Sequence, residues 1–500
     1  MANISSSNQI KLGAILSYFA LGVNILTGLF FTPWVINSIG RANYGLFTLA
    51  LSVITLFVFD FGLSGAVTRF VAKFLAEGRQ DKANNCLGLV YKLYFYIDIF
   101  LVILLSLVFI FIPQIYRELT TDEIEKFKVV FAVAAVFSVI SFPFIPVNGI
   151  LNANEKFIQV KICDVIHKLI IVFAMAICLL SGGGLYSLVI VNALAGAITI
   201  FMKLWCIKKY TSMSVNFGYK DRKQFSEILG FSTWTTVIAF CTRMIFTLAP
   251  TILGVFAGSI PIAIFGIANS LEGYVYSFTN AIGGMFLPRV SKIVSTGDGN
   301  VMPLMIKVGR IQLLVAGMII GGFICVGREF IYLWVGEGFA DSYICAVLLI
   351  IPGLFQLPQE IGLQTIIAKN EVKYQAIVWI IMAVLNIGLS FLLAWQIGAI
   401  GISLSICIAY LVRTIGLDYI FKTRLKLDMG VFFKETFLKM GWGLIFIVVL
   451  HFFIKELLPQ NGLLFFIIKV TLFILLYLTY AILVANNEEK RLIKNLMKIK

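Results

Sequence analysis

Long apolar runs separated by short polar turns recur along the whole chain. Many are about 18 residues or longer, the length that an α-helix needs to cross roughly 30 Å of hydrocarbon. Lipid offers backbone amide groups no hydrogen-bond partner, so each run is predicted to be a helix. The pattern predicts an all-α, polytopic membrane protein with about fourteen transmembrane spans. These spans are placed at residues 12–36, 44–67, 88–112, 129–150, 162–181, 184–206, 227–256, 259–287, 308–327, 343–368, 374–394, 397–420, 436–454 and 462–485.

Several positions within and between these runs predict turns or breaks. Short uncharged turns join spans five and six at residues 181–184, seven and eight at 257–259, and eleven and twelve at 395–398. Pro352 and Pro358 lie within the tenth span, just before Glu360. Proline cannot donate the hydrogen bond that an internal helix position requires, so these two residues are predicted to break or kink that span.

The overall composition agrees with a membrane protein. Hydrophobic residues make up 60% of the 500 residues, charged residues make up 13%, and the mean hydropathy is +0.97. A net charge of +15 can indicate a nucleic-acid partner, but here the basic residues lie in short loops between apolar runs. We interpret them as markers of topology and as contacts with anionic membrane lipid, and we predict no nucleic-acid partner.

Basic residues are distributed unevenly between the two predicted sides of the membrane. Most of the 40 Lys and Arg residues fall in segments that are cytoplasmic if the N-terminus is inside, including the stretches 203–223 and 413–439. The positive-inside rule then predicts an inner (cytoplasmic) membrane protein with both termini in the cytoplasm. Lys469 lies within the last span, and its ammonium group is expected to reach outward to the membrane surface.

The order of the spans also predicts a domain organisation. Similar helix entries at Ile15 and Ile228, each followed by two long spans, indicate a parallel repeat. We therefore predict six-helix lobes at residues 1–208 and 223–421, transmembrane helices 13 and 14 within 436–485, and a basic cytoplasmic tail at 486–500. The eight Cys residues are scattered without metal-site spacing, so neither a metal nor another cofactor is predicted.

Arg243 in the seventh span is the most informative single residue. A charge at bilayer depth is costly unless it faces protein or water, so residues of this kind often mark functional sites. Ser232, Thr236 and Thr247 recur at helical spacing with Arg243, which places all four on one face. One wall of the seventh span is therefore predicted to be polar.

The eighth span carries a second polar stripe, made of Asn269, Glu272, Tyr276 and Asn280. Two neighbouring helices with polar stripes predict a hydrated cavity, in which these residues and Arg243 bind the substrate. An alternative is that Arg243 and Glu272 form a buried ion pair that only holds the two helices together.

Three further carboxylates lie within predicted spans and are candidates for ion coupling: Asp60, Asp98 and Glu360. Asp60 stands near Gly62 and Gly65, close to the cytoplasmic end of the second span. A water-exposed position at a helix end is an equally good interpretation of this residue.

Two stretches in the first quarter of the chain resemble a known signature. Residues 39–50 (IGRANYGLFTLA) and 59–72 (FDFGLSGAVTRFVA) are similar to the amino-terminal signature of the Wzx-type polysaccharide biosynthesis flippases. These proteins belong to the multidrug/oligosaccharidyl-lipid/polysaccharide exporter superfamily. The similarity is strong over the first two spans, and chain length and span number extend it more loosely to the whole chain.

This resemblance implies a flippase that works by alternating access, with its two lobes around a central cavity. The implied substrate is an undecaprenyl-pyrophosphate-linked oligosaccharide, moved from the cytoplasmic to the periplasmic leaflet, and polysaccharide polymerase machinery is an implied partner. In such families the first, second, seventh and eighth spans line the cavity. In this chain those spans carry Asn24, Asp60, Arg243 and Glu272.

Two other functions compete with this one. A proton- or sodium-coupled drug or metabolite antiporter of the same superfamily is favoured by the acidic residues within the spans. A membrane glycan polymerase or ligase is less well supported, because such enzymes commonly present a large external loop bearing Arg or His. The chain carries no P-loop, G-x-S-x-G or H-E-x-x-H motif, so no catalytic residues are predicted.

Overall fold

The computed structural model describes residues 6–283, 287–295, 300–456 and 462–486, and these residues form helices and short connections without a strand. The helices are α1 (Ser6–Ile39), α2 (Arg41–Phe57), α3 (Leu63–Ala76), α4 (Gln80–Ile115), α5 (Thr121–Ser141), α6 (Val147–Ala153), α7 (Phe157–Leu180), α8 (Leu185–Tyr210), α9 (Arg222–Phe246), α10 (Leu248–Phe256), α11 (Ser259–Gly283), α12 (Leu287–Ser295), α13 (Met302–Val335), α14 (Asp341–Ile350), α15 (Gly353–Gln356), α16 (Glu360–Ala368), α17 (Val372–Thr423), α18 (Met429–Phe433), α19 (Lys439–Glu456) and α20 (Leu463–Val484).

The predicted all-α, multi-pass membrane fold is confirmed. Among the described residues, 11 helical segments are long and apolar enough to cross a membrane, and α2 is a shorter apolar helix. The 52-residue helix α17 covers two predicted spans, 374–394 and 397–420. Its backbone leaves helical geometry at Ile397 and Gly398, where the predicted turn between these spans lies. The predicted turns at 181–184 and 257–259 likewise separate α7 from α8 and α10 from α11.

The second span differs from its prediction, because it is not continuous. Helix α2 ends at Phe57 and α3 begins at Leu63, which leaves residues 58–62 outside both helices. Gly62 has a φ of 74°, in the left-handed region that glycine enters without steric cost. We call residues 58–62 the span-two break.

Contacts between Cα atoms divide the chain into two compact units. The first unit comprises residues 1–266 and 394–398, and the second comprises residues 267–393 and 399–500. The lobes expected at 1–208 and 223–421 remain predictions. The expected tail at 486–500 lies outside the described residues apart from Asn486.

The first unit has a tightly packed core where α3 crosses α4. Ala66 and Val67 of α3 and Cys86 and Tyr94 of α4 are fully buried there, together with Phe142. This core packs α3 firmly against α4, and the span-two break directly precedes α3.

In the second unit, polar contacts join α13 to the last two membrane helices. Lys469 of α20 is only 1% exposed, and its Nζ lies 2.8 Å from Oε1 of Glu329 in α13. The prediction that Lys469 reaches the membrane surface is therefore wrong. At the other end of α13, buried Arg310 donates hydrogen bonds to the backbone oxygens of Glu435 and Val484 at 3.0 and 3.1 Å.

Candidate functional site

The span-two break is shaped by local hydrogen bonds rather than by proline. The Oδ1 atom of Asp60 accepts from the backbone amide of Ser64 at 3.1 Å, in the first turn of α3. Aspartate side chains compete with the helix in this way, and they favour the ends of helices over their interiors. A carboxylate also suits this place because the amino-terminal end of a helix carries partial positive charge.

Asp60 is also tied to α4. The hydroxyl of Tyr94 donates to Oδ1 of Asp60 at 3.1 Å, and Tyr94 itself is fully buried. The carboxylate is half-buried, and its Oδ1 accepts both of these hydrogen bonds. It therefore holds the break, α3 and α4 in one arrangement.

Helix α9 reaches the same place from the seventh span. The Oγ1 of Thr236 donates to the carbonyl oxygen of Phe61 at 2.6 Å, and Nη1 of Arg243 donates to the carbonyl oxygen of Thr55 at 2.8 Å. Thr55 is among the last four residues of α2, whose carbonyls lose their helical partners. A backbone carbonyl left unpaired in lipid costs several kcal/mol, so the polar face of α9 stabilises the interruption.

Arg243 is therefore held at a defined position beside Asp60. Its guanidinium carbon lies 5.5 Å from the centre of the Phe59 ring, and it is attracted by the negative charge of Asp60. A guanidinium carries five N–H donors, and the bond to Thr55 uses one of them. In this position Arg243 can stabilise the span-two break, and it can also offer a positive charge to an anionic ligand.

The other two predicted site residues of this unit lie apart from these bonds. Asp98 is half-buried in α4, one helical turn beyond Tyr94, and its Oδ1 is buried without a hydrogen-bond partner in the described structure. Asn24 is exposed on α1. The structure thus brings Asp60 and Arg243 to one place and leaves Asn24 on an open helix face.

In the second unit, the polar stripe of the eighth span lies on α11. Glu272 is 8% exposed and Asn269 is half-buried. The hydroxyl of Tyr276 lies 3.5 Å from Oε1 of Gln356 in α15, at the limit of hydrogen bonding. The backbone of Asn280 continues the same helix, but its side chain lies outside the described residues.

The tenth span is interrupted before Glu360, as the two prolines predict. Helix α14 ends at Ile350, α15 spans Gly353–Gln356, and a 3-10 turn leads into α16. Glu360 opens α16 and accepts from Nε2 of Gln364 at 2.6 Å. The carboxylate is therefore fixed at the start of a helix, where the dipole favours negative charge.

Arg413 is a buried charge that the sequence analysis missed, because that stretch was assigned to the cytoplasm. It is only 8% exposed within α17, and its guanidinium lies 4.5 Å from the Trp379 ring and 5.0 Å from the Tyr410 ring. Its positive charge also interacts with Glu360. Two features of the sequence could have indicated that Arg413 is buried. It lies in an apolar stretch, and the aromatic Tyr410 precedes it by three positions.

Metal binding has no candidate site in the part of the chain that the structure describes. No group of three or more His, Cys, Asp or Glu side chains there could hold a metal ion.

Known proteins resemble this chain in family and in fold. A family model described as "Polysaccharide biosynthesis protein" matches residues 12–294. The solved structure of lipid II flippase MurJ, in an inward closed conformation, is similar with a TM-score of 0.71 at 16% identity. That match covers 94% of this chain and 98% of the flippase. Among proteins with curated descriptions, none matches the chain in sequence.

Two further solved structures share the fold. An inward-facing multidrug resistance MATE family transporter of the MOP superfamily has a TM-score of 0.65 at 15% identity, over 82% of this chain and 99% of that one. A MOP superfamily transporter from Pyrococcus furiosus has a TM-score of 0.59 at 14% identity, over 83% and 95% of the two chains. At these identities the similarity establishes the fold alone.

Proposed function

Because this chain belongs to the polysaccharide biosynthesis protein family, we propose that it is a flippase for an undecaprenyl-pyrophosphate-linked oligosaccharide. It moves this lipid across the cytoplasmic membrane for surface polysaccharide synthesis, by alternating access. The family and the structures similar in fold are transporters or flippases rather than enzymes. The fold that this chain shares with a lipid II flippase supports a lipid-linked substrate.

The single observation that carries the proposal is the position of Arg243. A pyrophosphate is an anion that cannot cross hydrocarbon unaided, and a guanidinium can meet its oxygens with paired, charge-assisted hydrogen bonds. Arg243 is held by the carbonyl of Thr55, at the place where the second span is interrupted. In this proposal, its remaining donors bind the pyrophosphate.

The other candidate residues have matching roles. Asn24, Asn269, Tyr276 and Asn280 offer the amide and hydroxyl groups that recognise sugars, and Glu272 completes the polar stripe of α11. The polyprenyl tail stays in lipid during transport. The chain has no nucleotide-binding motif, so we propose that an ion gradient drives transport. Asp60, Asp98 and Glu360 are the proposed ion-coupling residues.

The proposed setting is the inner membrane with both termini in the cytoplasm, as the basic loops predict. A polysaccharide polymerase is the proposed partner downstream, because a flipped oligosaccharide must be assembled on the far leaflet. Anionic lipid is the proposed contact of the basic loops.

A deletion strain tests the function directly. Without this protein, lipid-linked oligosaccharide should accumulate on the inner leaflet while surface polysaccharide is lost, and a plasmid copy should restore both. Leaflet position can be measured by labelling the glycan with a membrane-impermeant reagent in spheroplasts and in inverted vesicles. Normal surface polysaccharide in the deletion strain would contradict the proposal.

A drug or metabolite antiporter is the second candidate, favoured by two acids of the second unit that lie within predicted spans. Glu272 is 8% exposed and Glu360 is fixed next to Gln364, as proton- or sodium-binding groups would require. The two functions differ in a simple assay. An antiporter predicts that the deletion strain becomes sensitive to cationic drugs and keeps its surface glycan, whereas the flippase predicts the reverse.

A further inference from the structure

The segment between the sixth and seventh spans is fixed on the amino-terminal part of α4. The backbone amides of Ser214 and Asn216 donate to Oδ1 and O of Asn84 at 3.0 and 3.3 Å. The side-chain amide of Asn216 donates to Oδ1 of Asn85 at 2.7 Å. A Cβ atom added at Gly88 would lie only 1.8 Å from the carbonyl oxygen of Asn216, so only glycine permits this close approach. We call residues 211–221 the connector.

A cavity of about 550 Å³ lies between the connector and α4. Its polar lining includes Lys92 from α4 and Lys220 from the connector. The ammonium of Lys92 donates to the carbonyl oxygen of Tyr219 at 2.8 Å. Each ammonium carries three donors, so Lys92 retains capacity for an anion after making this bond.

One acidic residue also lines the cavity. Asp221 accepts from the hydroxyl of Tyr219 at 3.0 Å, within the connector itself. The two lysines and this one carboxylate give the lining a net positive charge. The cavity is therefore suited to a ligand with at least one negative charge.

The remaining lining is aromatic and open. Phe95, Tyr96 and Phe217 line the cavity and are between 61% and 68% exposed. Beyond them, large apolar side chains of α4 continue along one helix face and are also exposed: Ile99, Phe100, Ile103, Leu107 and Ile110. Such a face suits lipid chains rather than water, and aromatic residues at its end are typical of the membrane surface.

We propose that this cavity binds the phosphate headgroup of an anionic phospholipid from the adjacent leaflet. Lys92 and Lys220 contact the phosphate, while the acyl chains lie along the exposed face of α4. A soluble phosphate would use the lysines but not the apolar face that continues from them. This site gives a specific location to the anionic-lipid contact proposed above for the basic loops. None of its lining residues is among those assigned to transport, so it can be tested independently of the transport function.

Native mass spectrometry of the purified full-length protein tests the site, with phosphatidylglycerol and phosphatidylcholine as probes. The wild type should retain one phosphatidylglycerol molecule more strongly than phosphatidylcholine. The double variant Lys92→Gln/Lys220→Gln should bind phosphatidylglycerol about 30-fold more weakly, because each lysine near an anionic lipid contributes roughly fivefold. Free inorganic phosphate, added as a competitor, should not displace the lipid.

Two matched variants keep the result interpretable. Lys92→Arg/Lys220→Arg preserves both charges and should retain binding, which separates charge loss from misfolding. Lys82→Gln/Lys208→Gln removes two exposed charges outside the cavity and should also retain binding. Unchanged phosphatidylglycerol binding in the first Gln variant would overturn the proposal. Preferential binding of undecaprenyl phosphate over phosphatidylglycerol would also overturn it, since the occupant would then be the carrier lipid.

Discussion

The second and tenth spans are both interrupted, but the two interruptions are stabilised differently. In the tenth span, residues 351–359 fold into short turns that bond to themselves. The amide of Leu354 donates to the carbonyl of Ile351 at 3.0 Å, and that of Phe355 donates to Pro352 at 3.1 Å. In the second span, the carbonyls of Thr55 and Phe61 accept from side chains of α9.

The interruption of the tenth span is therefore stabilised by its own backbone, whereas that of the second span depends on side chains of another helix. The backbone bonds of the tenth-span turns lie within the turns themselves, so they do not need side chains of neighbouring helices. The span-two break keeps its bonds only while Thr236 and Arg243 of α9 stay in place, because backbone carbonyls in lipid need a partner. A movement of α9, or an anion that draws Arg243 away, would therefore change the second span and leave the tenth unaffected.

The largest effect is expected from Arg243→Ala. It removes both the bond to Thr55 and the proposed contact with the pyrophosphate. Hydrogen bonds to charged groups contribute roughly 1.5 to 3 kcal/mol, so surface polysaccharide output should fall by about tenfold or more. Output can be measured by quantitative glycan staining, with protein abundance in the membrane checked by immunoblot.

Two controls accompany this variant. Arg117→Ala removes an exposed arginine of the same unit and should leave output unchanged. Normal output in Arg243→Ala would exclude Arg243 from the mechanism. If the charge exchange Arg243→Glu with Glu272→Arg restored output, the two residues would instead form the structural ion pair considered above.

Asp60→Asn is expected to have the next largest effect. The amide keeps an oxygen that can accept from Ser64 and Tyr94, so the break should persist while the charge is lost. Transport should fall by roughly fivefold and should no longer vary with an imposed proton or sodium gradient. Flux in proteoliposomes at several gradients measures this, with the exposed Asp81→Asn as the control. Gradient dependence equal to that of the wild type would contradict a coupling role.

A smaller effect is expected from Thr236→Val, which keeps the side-chain shape but leaves the Phe61 carbonyl without its partner. The expected loss is about 1 to 3 kcal/mol of unfolding free energy, with a lower melting temperature in detergent. Thr242→Val is the comparison variant from the same helix, because the Oγ1 of Thr242 donates to the Ile238 carbonyl within α9 at 2.9 Å. Equal melting temperatures for the two variants would show that α9 does not stabilise the break.

The smallest effect is expected from Pro358→Ala. The turns of the tenth span are bonded locally, so replacing this proline should mainly add freedom to the unfolded chain, at about 0.4 to 1 kcal/mol. Surface polysaccharide should stay at the wild-type level, and the melting temperature in detergent should fall only slightly. A loss of output as large as that in Arg243→Ala would mean that the tenth span also depends on more than its own bonds.

Features that depend on nearby residues could be predicted from the sequence. Apolar runs gave the spans, and Pro352 and Pro358 gave the tenth-span interruption, since proline alters its own helix. The span-two break lacks proline and is built from Asp60, Gly62 and partners in α4 and α9. Nothing in the local pattern reveals those partners.

The environments of the charged residues inside the spans were predicted only in part, because their partners are also distant in sequence. The stripe that placed Thr236 and Arg243 on one face is consistent with their neighbouring contacts in the second span. Lys469 was misplaced because its partner Glu329 is 140 residues away in sequence. The burial of Arg413 was not predicted, because its contacts with the Trp379 and Tyr410 rings are not found by counting Lys and Arg residues between spans.

The ion pair between Lys469 and Glu329 has a consequence for how the protein is made. Glu329 is synthesised 140 residues before Lys469, so its carboxylate lacks its final counter-charge until α20 has been made. The ion pair can form only once α20 packs against α13. A nascent chain stopped before α20 therefore leaves the Glu329 carboxylate of α13 without this partner.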